Sequence, residues 1–210
     1  MTQGKEGRYH HGDLRAALVD TAIELVAERG VRNFSLAEAS RRLGVSVSAP
    51  YAHFSDRDEL LAAVAVHAYE LFYAELRPEM DRFQTPADRL AAIARAYVRF
   101  AGTHRPLFET LFEAGLDKSR HPELAAAERP IDDTFLSCVR ELPGCGESAS
   151  EDVATAIEAA AHGYAMLLLD GAFGEGPEAV ELAAERAARA TLALVESRRL
   201  LTRRGTDDAA

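Results

Sequence analysis

The chain has 210 residues, 48% of them hydrophobic, and a net charge of -10. That is enough apolar residue for one compact domain or two small ones with a real core. Acidity on its own argues against a nucleic-acid binder, and no apolar run approaches the ~20 residues that a membrane helix needs.

Ala and Leu dominate, and the β-branched runs of strands are missing, which favours an all-α fold. The charge is unevenly placed. Residues 1–60 hold 8 Lys+Arg against 9 Asp+Glu, so the acidity belongs to the last two thirds. Cys138 and Cys145 have no CxxC spacing and no His at metal-ligand offsets, so neither a zinc site nor a structural disulfide is expected. The opening "MTQGKEGRYHHGD" has no apolar signal-peptide core, which predicts a cytoplasmic protein. Its Lys5, Arg8, His10 and His11 suit either an arm along phosphates or a minor groove, or a solubilising tail.

In chain order, Asp13 is placed to cap a first helix, with Leu14, Leu18, Thr21, Ala22, Leu25 and Val26 on one face and Gly30 as its stop. Ser35-Leu36-Ala37-Glu38 is a capping box, and the short helix behind it ends at Gly44. Ser46 offers the next cap, for a second short helix from Ser48 to His53. Pro50 is tolerated there because first-turn amides have no intrahelical partner. The run Phe54–Asp58 caps a long helix carrying Leu60, Leu61, Val64, Ala68, Leu71 and Phe72 towards Leu76 and Pro78. Thr85-Pro86 starts a helix ending at Gly102, and Pro106–Ala114 forms a short apolar-aromatic one. Pro122 and Pro130 break the next stretch, leaving helix from Ile131 to Leu142. "PGCGESAS" (Pro143–Ser150) reads as a loop. Two Ala-rich helices come last, at Glu151–Asp170 and Pro177–Leu200, and the tail "TRRGTDDAA" reads as frayed.

Helix, tight turn at Gly44 and second helix together have helix-turn-helix spacing. Gly44 supplies the positive φ of the turn, and Val45 plugs the gap between the helices. A reading helix meets the major groove with its N-terminal residues, here Val47, Ser48 and Ala49. Ser bonds either base edge, and Val or Ala touches a thymine methyl. Tyr51 and His53 suit phosphate oxygens, and Arg57 sits at the next helix N-terminus, a natural anion site. Arg41 and Arg42 face either phosphate or solvent. Spacing alone leaves open an ordinary helical hairpin whose aromatics are core.

The stretch "SLAEASRRLGVSVSAPYAHFSDRDELL" (Ser35–Leu61) resembles the DNA-binding signature of the tetracycline-repressor (TetR) family of bacterial regulators. The resemblance spans residues 12–72. It implies that Ser35, Tyr51, His53 and Arg57 contact phosphates, that Ser46 caps the reading helix, and that Val47, Ser48 and Ala49 face bases. Arg57 replaces the family's usual Lys, and Ala49-Pro50 replaces a common Thr plus a branched apolar residue. "YHHGDLR" (Tyr9–Arg15), "APYAHF" and His162-Gly163 are similar to a subgroup with a Trp/His-Gly C-terminal domain, although this chain has no Trp.

The resemblance implies an N-terminal three-helix DNA-binding domain (12–72) and a larger C-terminal effector-binding and dimerisation domain (73–202), about nine helices in all. Phe72, Tyr97, Phe100, His104, Phe108, Phe112, His162 and Met166 are the effector-pocket candidates, mostly apolar with a few polar groups; each ring also suits plain core packing. The small residues of the last two helices (about 151–170 and 177–200), among them Ala156, Ala159, Ala160, Ala161, Gly163, Ala183, Ala184, Ala187, Ala188 and Ala190, suit close approach across a two-fold axis or within one subunit. The expected function is a ligand-responsive repressor acting as a homodimer on a palindromic operator. A constitutive DNA binder without an effector is the alternative. A helical dimer that has lost DNA binding is a remoter rival. Catalytic residues, metal and cofactor are not expected, because no Ser/His/Asp order, phosphate-cradling glycine loop or HExxH motif is present.

Overall fold

The computed structural model describes residues 11–145 and 147–201, and no strand occurs among them. The arm residues Lys5, Arg8 and His10, the side chain of His11 and the tail from Thr202 lie outside the described residues. The helices are α1 (His11–Arg29), α2 (Leu36–Leu43), a one-turn 3-10 helix (Ala49–Ala52), α3 (Arg57–Met80), α4 (Pro86–Thr103), α5 (Arg105–Glu113), α6 (Pro122–Arg140), α7 (Glu147–Leu169), α8 (Pro177–Glu196) and the single turn α9 (Arg198–Leu201).

Two compact units divide the chain. One takes the residues up to Ala68 together with Pro106–Ala125, and the other takes Tyr69–Arg105 and the residues from Ala126 on. In the first unit α1 buries Leu18, Ala22, Leu25 and Val26, at the three- and four-residue steps of a helix face. In the same unit Leu36 and Ala39 of α2, which packs on α1, Phe54, and Leu60, Leu61 and Val64 of α3 are likewise shut off from solvent. Each buried Leu, Val or Phe among them contributes about 1.5–3 kcal/mol of burial. Further along α3, Ala62 and Ala65 pack with Leu124, and Val66, Leu111 and Leu116 cover that cluster.

In the second unit α4, α7 and α8 pack mutually. The contact surfaces are small: Ala91, Ala94 and Ala101 on α4, Ala161 and Ala165 on α7, and Ala183, Ala184, Ala187 and Ala188 on α8 are all buried. Ala183, Ala184, Ala187 and Ala188 therefore fill this unit's own interior, the within-subunit alternative of the sequence reading, while Ala190 is only half-buried. Gly102 explains the closeness. A Cβ there would lie 2.7 Å from Val180 Cγ2 and 3.0 Å from Leu168 Cδ2. Two ion pairs tie α4 to α8 on the outside, Arg95 to Glu185 at 2.6 Å and Arg99 to Glu181 at 2.6 Å.

Several element boundaries depart from the sequence expectation. Residue 13 lies inside α1, which is already helical at His11, so it is not the cap. The fourth helix runs one residue past Gly102, to Thr103. Pro130 lies inside α6 rather than ending it. Its ring is exposed, so losing one amide donor on the wet side is outweighed by the burial of Leu124, Cys138 and Val139 on the other. Finally, α7 begins at Glu147, inside the expected loop, and its first turns bury Ser150, Val153 and Ala154.

Candidate nucleic-acid interface

The reading edge is built by local rules. Ser35, extended at φ -140°, caps α2, its hydroxyl accepting the Glu38 amide at 3.3 Å. Gly44 closes that helix in the left-handed region at φ 68°, a conformation nearly reserved for glycine. The Val45 amide then donates back to the Ser40 carbonyl at 3.0 Å. This is the sharp turn that the sequence predicts.

The segment after the turn is shorter than an α-helix. Residues 47 and 48 form a turn and Ala49–Ala52 a single 3-10 turn, with Ser48 at the cap position and no side-chain cap bond. The expected hydroxyl cap from Ser46 is thus corrected. Its carbonyl accepts the Ala49 amide at 3.0 Å, while its hydroxyl lies 3.1 Å from that of Ser48. Pro50 is the reason: without an amide it cannot add an α-helical bond, and it is buried against the rest of the unit. The turn closes when the His53 and Phe54 amides both donate to the Pro50 carbonyl, at 2.8 and 2.9 Å.

This geometry turns the small residues outward. Val47 is 52% exposed and Tyr51 56%. Ser46 and Ser48 are exposed, and Ala49 and His53 are half-buried. Phe54 is fully buried, with the Arg15 guanidinium over its ring at 5.1 Å.

The guanidiniums of the two flanking arginines are engaged by neighbours. Arg42 makes a two-pronged pair with Glu28, at 2.7 and 2.6 Å, and reaches Glu24 at 3.6 Å. That bond holds the Glu28 carboxyl below, and the Arg42 guanidinium above, their ordinary values. Arg57 donates to the carbonyls of Val31 and Phe34, meets Asp58 at 3.4 Å, and stacks on the Phe34 ring at 5.2 Å. It clamps the α1–α2 connection to the start of α3. Arg41 is exposed on the last turn of α2. The start of α3 is a reciprocal cap: Asp56 accepts the Glu59 amide at 2.9 Å and Glu59 accepts the Ser55 amide at 2.6 Å.

The effector candidates separate. Phe72, Tyr97, Phe100, His104 and His162 form one chain of rings in the second unit. Phe72 meets Tyr97 edge-on at 5.9 Å and Phe100 at 5.2 Å, and Phe100 meets His104 at 5.0 Å. The Tyr97 hydroxyl is 2.9 Å from His162 Nδ1, and His104 Nε2 is 2.9 Å from Glu75. Burial, and then the Glu158 carboxylate, push the Tyr97 phenol well above its usual range. Phe108 and Phe112 pair at 4.8 Å, but both belong to the first unit. Met166 is 37% exposed on α7.

A cavity of about 320 Å³ opens elsewhere in the second unit, lined by Met80, Arg89, Asp133, Thr134, Ser137, Cys138 and Glu141. Sequence reasoning misses these residues. Arg89 and Glu141, 3.7 Å apart, come from α4 and the turn just after α6, and no spacing links them. Nor does any spacing reveal that Tyr69 donates to Glu128 at 3.0 Å. Among the described residues, no helix is long and apolar enough to cross a membrane.

Two family models match the chain: "Bacterial regulatory proteins, tetR family" over residues 18–64, and "Tetracyclin repressor-like, C-terminal domain" over residues 90–191. The HTH-type transcriptional regulator BetI of Brucella anthropi is 30% identical over 79 residues, 38% of this chain and 41% of that protein. The match thus spans about two fifths of this curated relative's length. A solved protein of unknown function from Rhodococcus sp. RHA1 is 30% identical, with a TM-score of 0.69 over 88% of this chain and 98% of that one. A bacterial regulatory protein in the tetR family, also from Rhodococcus RHA1, shares the fold at 19% identity and a TM-score of 0.68, covering 86% of this chain and 96% of its own.

Proposed function

Since the chain belongs to the TetR family of DNA-binding transcriptional regulators, we propose that it is a ligand-responsive repressor that binds a palindromic operator as a homodimer. Residues 12–72 are the DNA-binding domain and 73–202 the effector and dimerisation domain. The observation that carries the reading is the outward tip after Gly44: Val47, Ser48 and Tyr51 are exposed while the buried Phe54 and Pro50 fix their backbone. Val47, Ser48 and Ala49, behind Ser46, face base edges. Ser35, Tyr51 and His53 face phosphates, and Arg42 and Arg57 lie along the same edge, paired with Glu28 and with the Val31 and Phe34 carbonyls. Hydroxyls, amides and a few guanidiniums position such a module without a strongly basic surface.

For dimerisation, α7 and α8 expose Met166, Leu167 and Leu182, large apolar side chains that favour a covered surface. Two copies then present two tips, which must sit about 34–36 Å apart to enter successive major grooves. For effector binding, the support is the ring chain from Phe72 to His162 and the open cavity of the same unit, whose volume suits a small molecule. An effector that favours a conformation with misplaced tips by ~1–3 kcal/mol weakens DNA binding 5- to 150-fold.

The test is a gel shift at fixed salt with DNA upstream of the chain's own gene. A sharp complex that a Tyr51→Ala/His53→Ala double variant cannot form supports the reading. Full binding by that double variant refutes it.

A further inference from the structure

The tip has an unusual chemical poverty. From Val45 to Ala52 the side chains are Val, Ser, Val, Ser, Ala, Pro, Tyr and Ala. None of them carries the paired groups that read bases by hydrogen bonding. In the major groove guanine is read by Arg or Lys, adenine by Asn or Gln, and cytosine by Asp or Glu. Thymine alone presents a methyl group, which an apolar side chain reads by contact.

The neighbouring groups strengthen that bias. The Ser46 and Ser48 hydroxyls are 3.1 Å apart and bond each other. The Arg42 guanidinium is engaged by Glu28 and Glu24, and that of Arg57 by the Val31 and Phe34 carbonyls. Val47, at 52% exposure, is the exposed large aliphatic side chain of the tip, and Ala49, two residues on, is half-buried. Ser48 and Tyr51 flank them, each with one hydroxyl.

Resting on the DNA-reading proposal, we infer that the operator is read through thymine methyl groups: Val47, aided by Ala49, packs on the C5-methyls of a thymine-bearing step in each half-site. Hydrogen bonds to guanine play the minor part. Burying a methyl-sized group against Val47 is worth about a fourfold change in affinity per contact.

The probe is the full chain mixed with a random duplex library at fixed salt. Selected half-sites are then remade with deoxyuridine in place of each thymidine. That change removes only the methyl and leaves Watson–Crick pairing and the O4 acceptor intact. The expected result is a shared thymine step in each half-site. Deoxyuridine there weakens binding about fourfold per position, and the loss disappears in the Val47→Ala variant. A selected site indifferent to uracil overturns this inference alone, as does a site whose preference rests on guanines and vanishes in Arg41→Ala. A library that yields no preferred sequence overturns the DNA-reading proposal as well.

Discussion

Small residues do opposite work in the two units. After Gly44 they stay in solvent: Ser46, Val47 and Ser48 leave the backbone close to whatever docks there. In the α4–α7–α8 packing, Ala183, Ala184, Ala187 and Ala188 vanish into the interior, and Gly102 lets α8 approach so closely that a single methyl would collide with Val180. The same residue class thus serves access in one place and density in the other. Composition cannot tell these apart. The turn chemistry at Gly44 and the helical period of α8 can.

Substitutions sharpen the contrast. The largest effect is expected at Phe54, the buried floor of the tip. Phe54→Ala should cost about 3–5 kcal/mol, read by urea denaturation, and a loss below about 1 kcal/mol would mean that the tip does not rest on that ring. In the bundle, Ala184→Leu overfills a close-packed layer and should cost about 1–3 kcal/mol, whereas Ser48→Ala should stay within about 0.5 kcal/mol. Equal costs at the two sites would erase the distinction between them. Thr191 gives the opposite sign. It is wholly buried on α8, and its hydroxyl has no hydrogen-bond partner among the described residues. Thr191→Val should therefore raise stability by about 1 kcal/mol, seen as a higher melting temperature.

Two smaller effects concern charge at the reading unit. Glu28→Gln releases Arg42. DNA affinity should rise, and the slope of log affinity against log salt should steepen by about 0.9 for one added phosphate contact. An unchanged slope would make Arg42 a purely structural strut. Glu59 is held below its ordinary value by the Ser55 amide and then by the Ser55 side chain. Its folded value is depressed, so its contribution is present above the unfolded value near 4.5 and fades as pH falls through the lower folded one. Thermal melts of the chain and of Glu59→Gln should differ at neutral pH and converge as the pH falls below the folded value.

Much of the fold is legible because it is local. Ser35 as the cap of α2, Gly44 at its end, Thr85-Pro86 at the start of α4 and Pro177 at the start of α8 each act within four residues, and each is found where the pattern puts it, although the Glu38 carboxylate pairs with Arg29 instead of closing the capping box. The errors share a different origin. Pro130 continues α6 because distant burial outweighs a local defect. The guanidinium of Arg57 reaches carbonyls 23 and 26 residues away, and Arg42 finds Glu28 14 residues back. The site is therefore legible in its outline but not in its electrostatics. Which residues present the edge is decided by the turn. Which charges remain free along it depends on partners that no periodicity records.

Pro50 has one more consequence. A prolyl ring wedged beneath the tip fixes its backbone before any duplex arrives, so docking freezes little chain motion there. The letters at 47 and 48 are then interchangeable type on a rigid stamp. On the proposed reading, swapping them should redirect the protein to new promoters without rebuilding its scaffold.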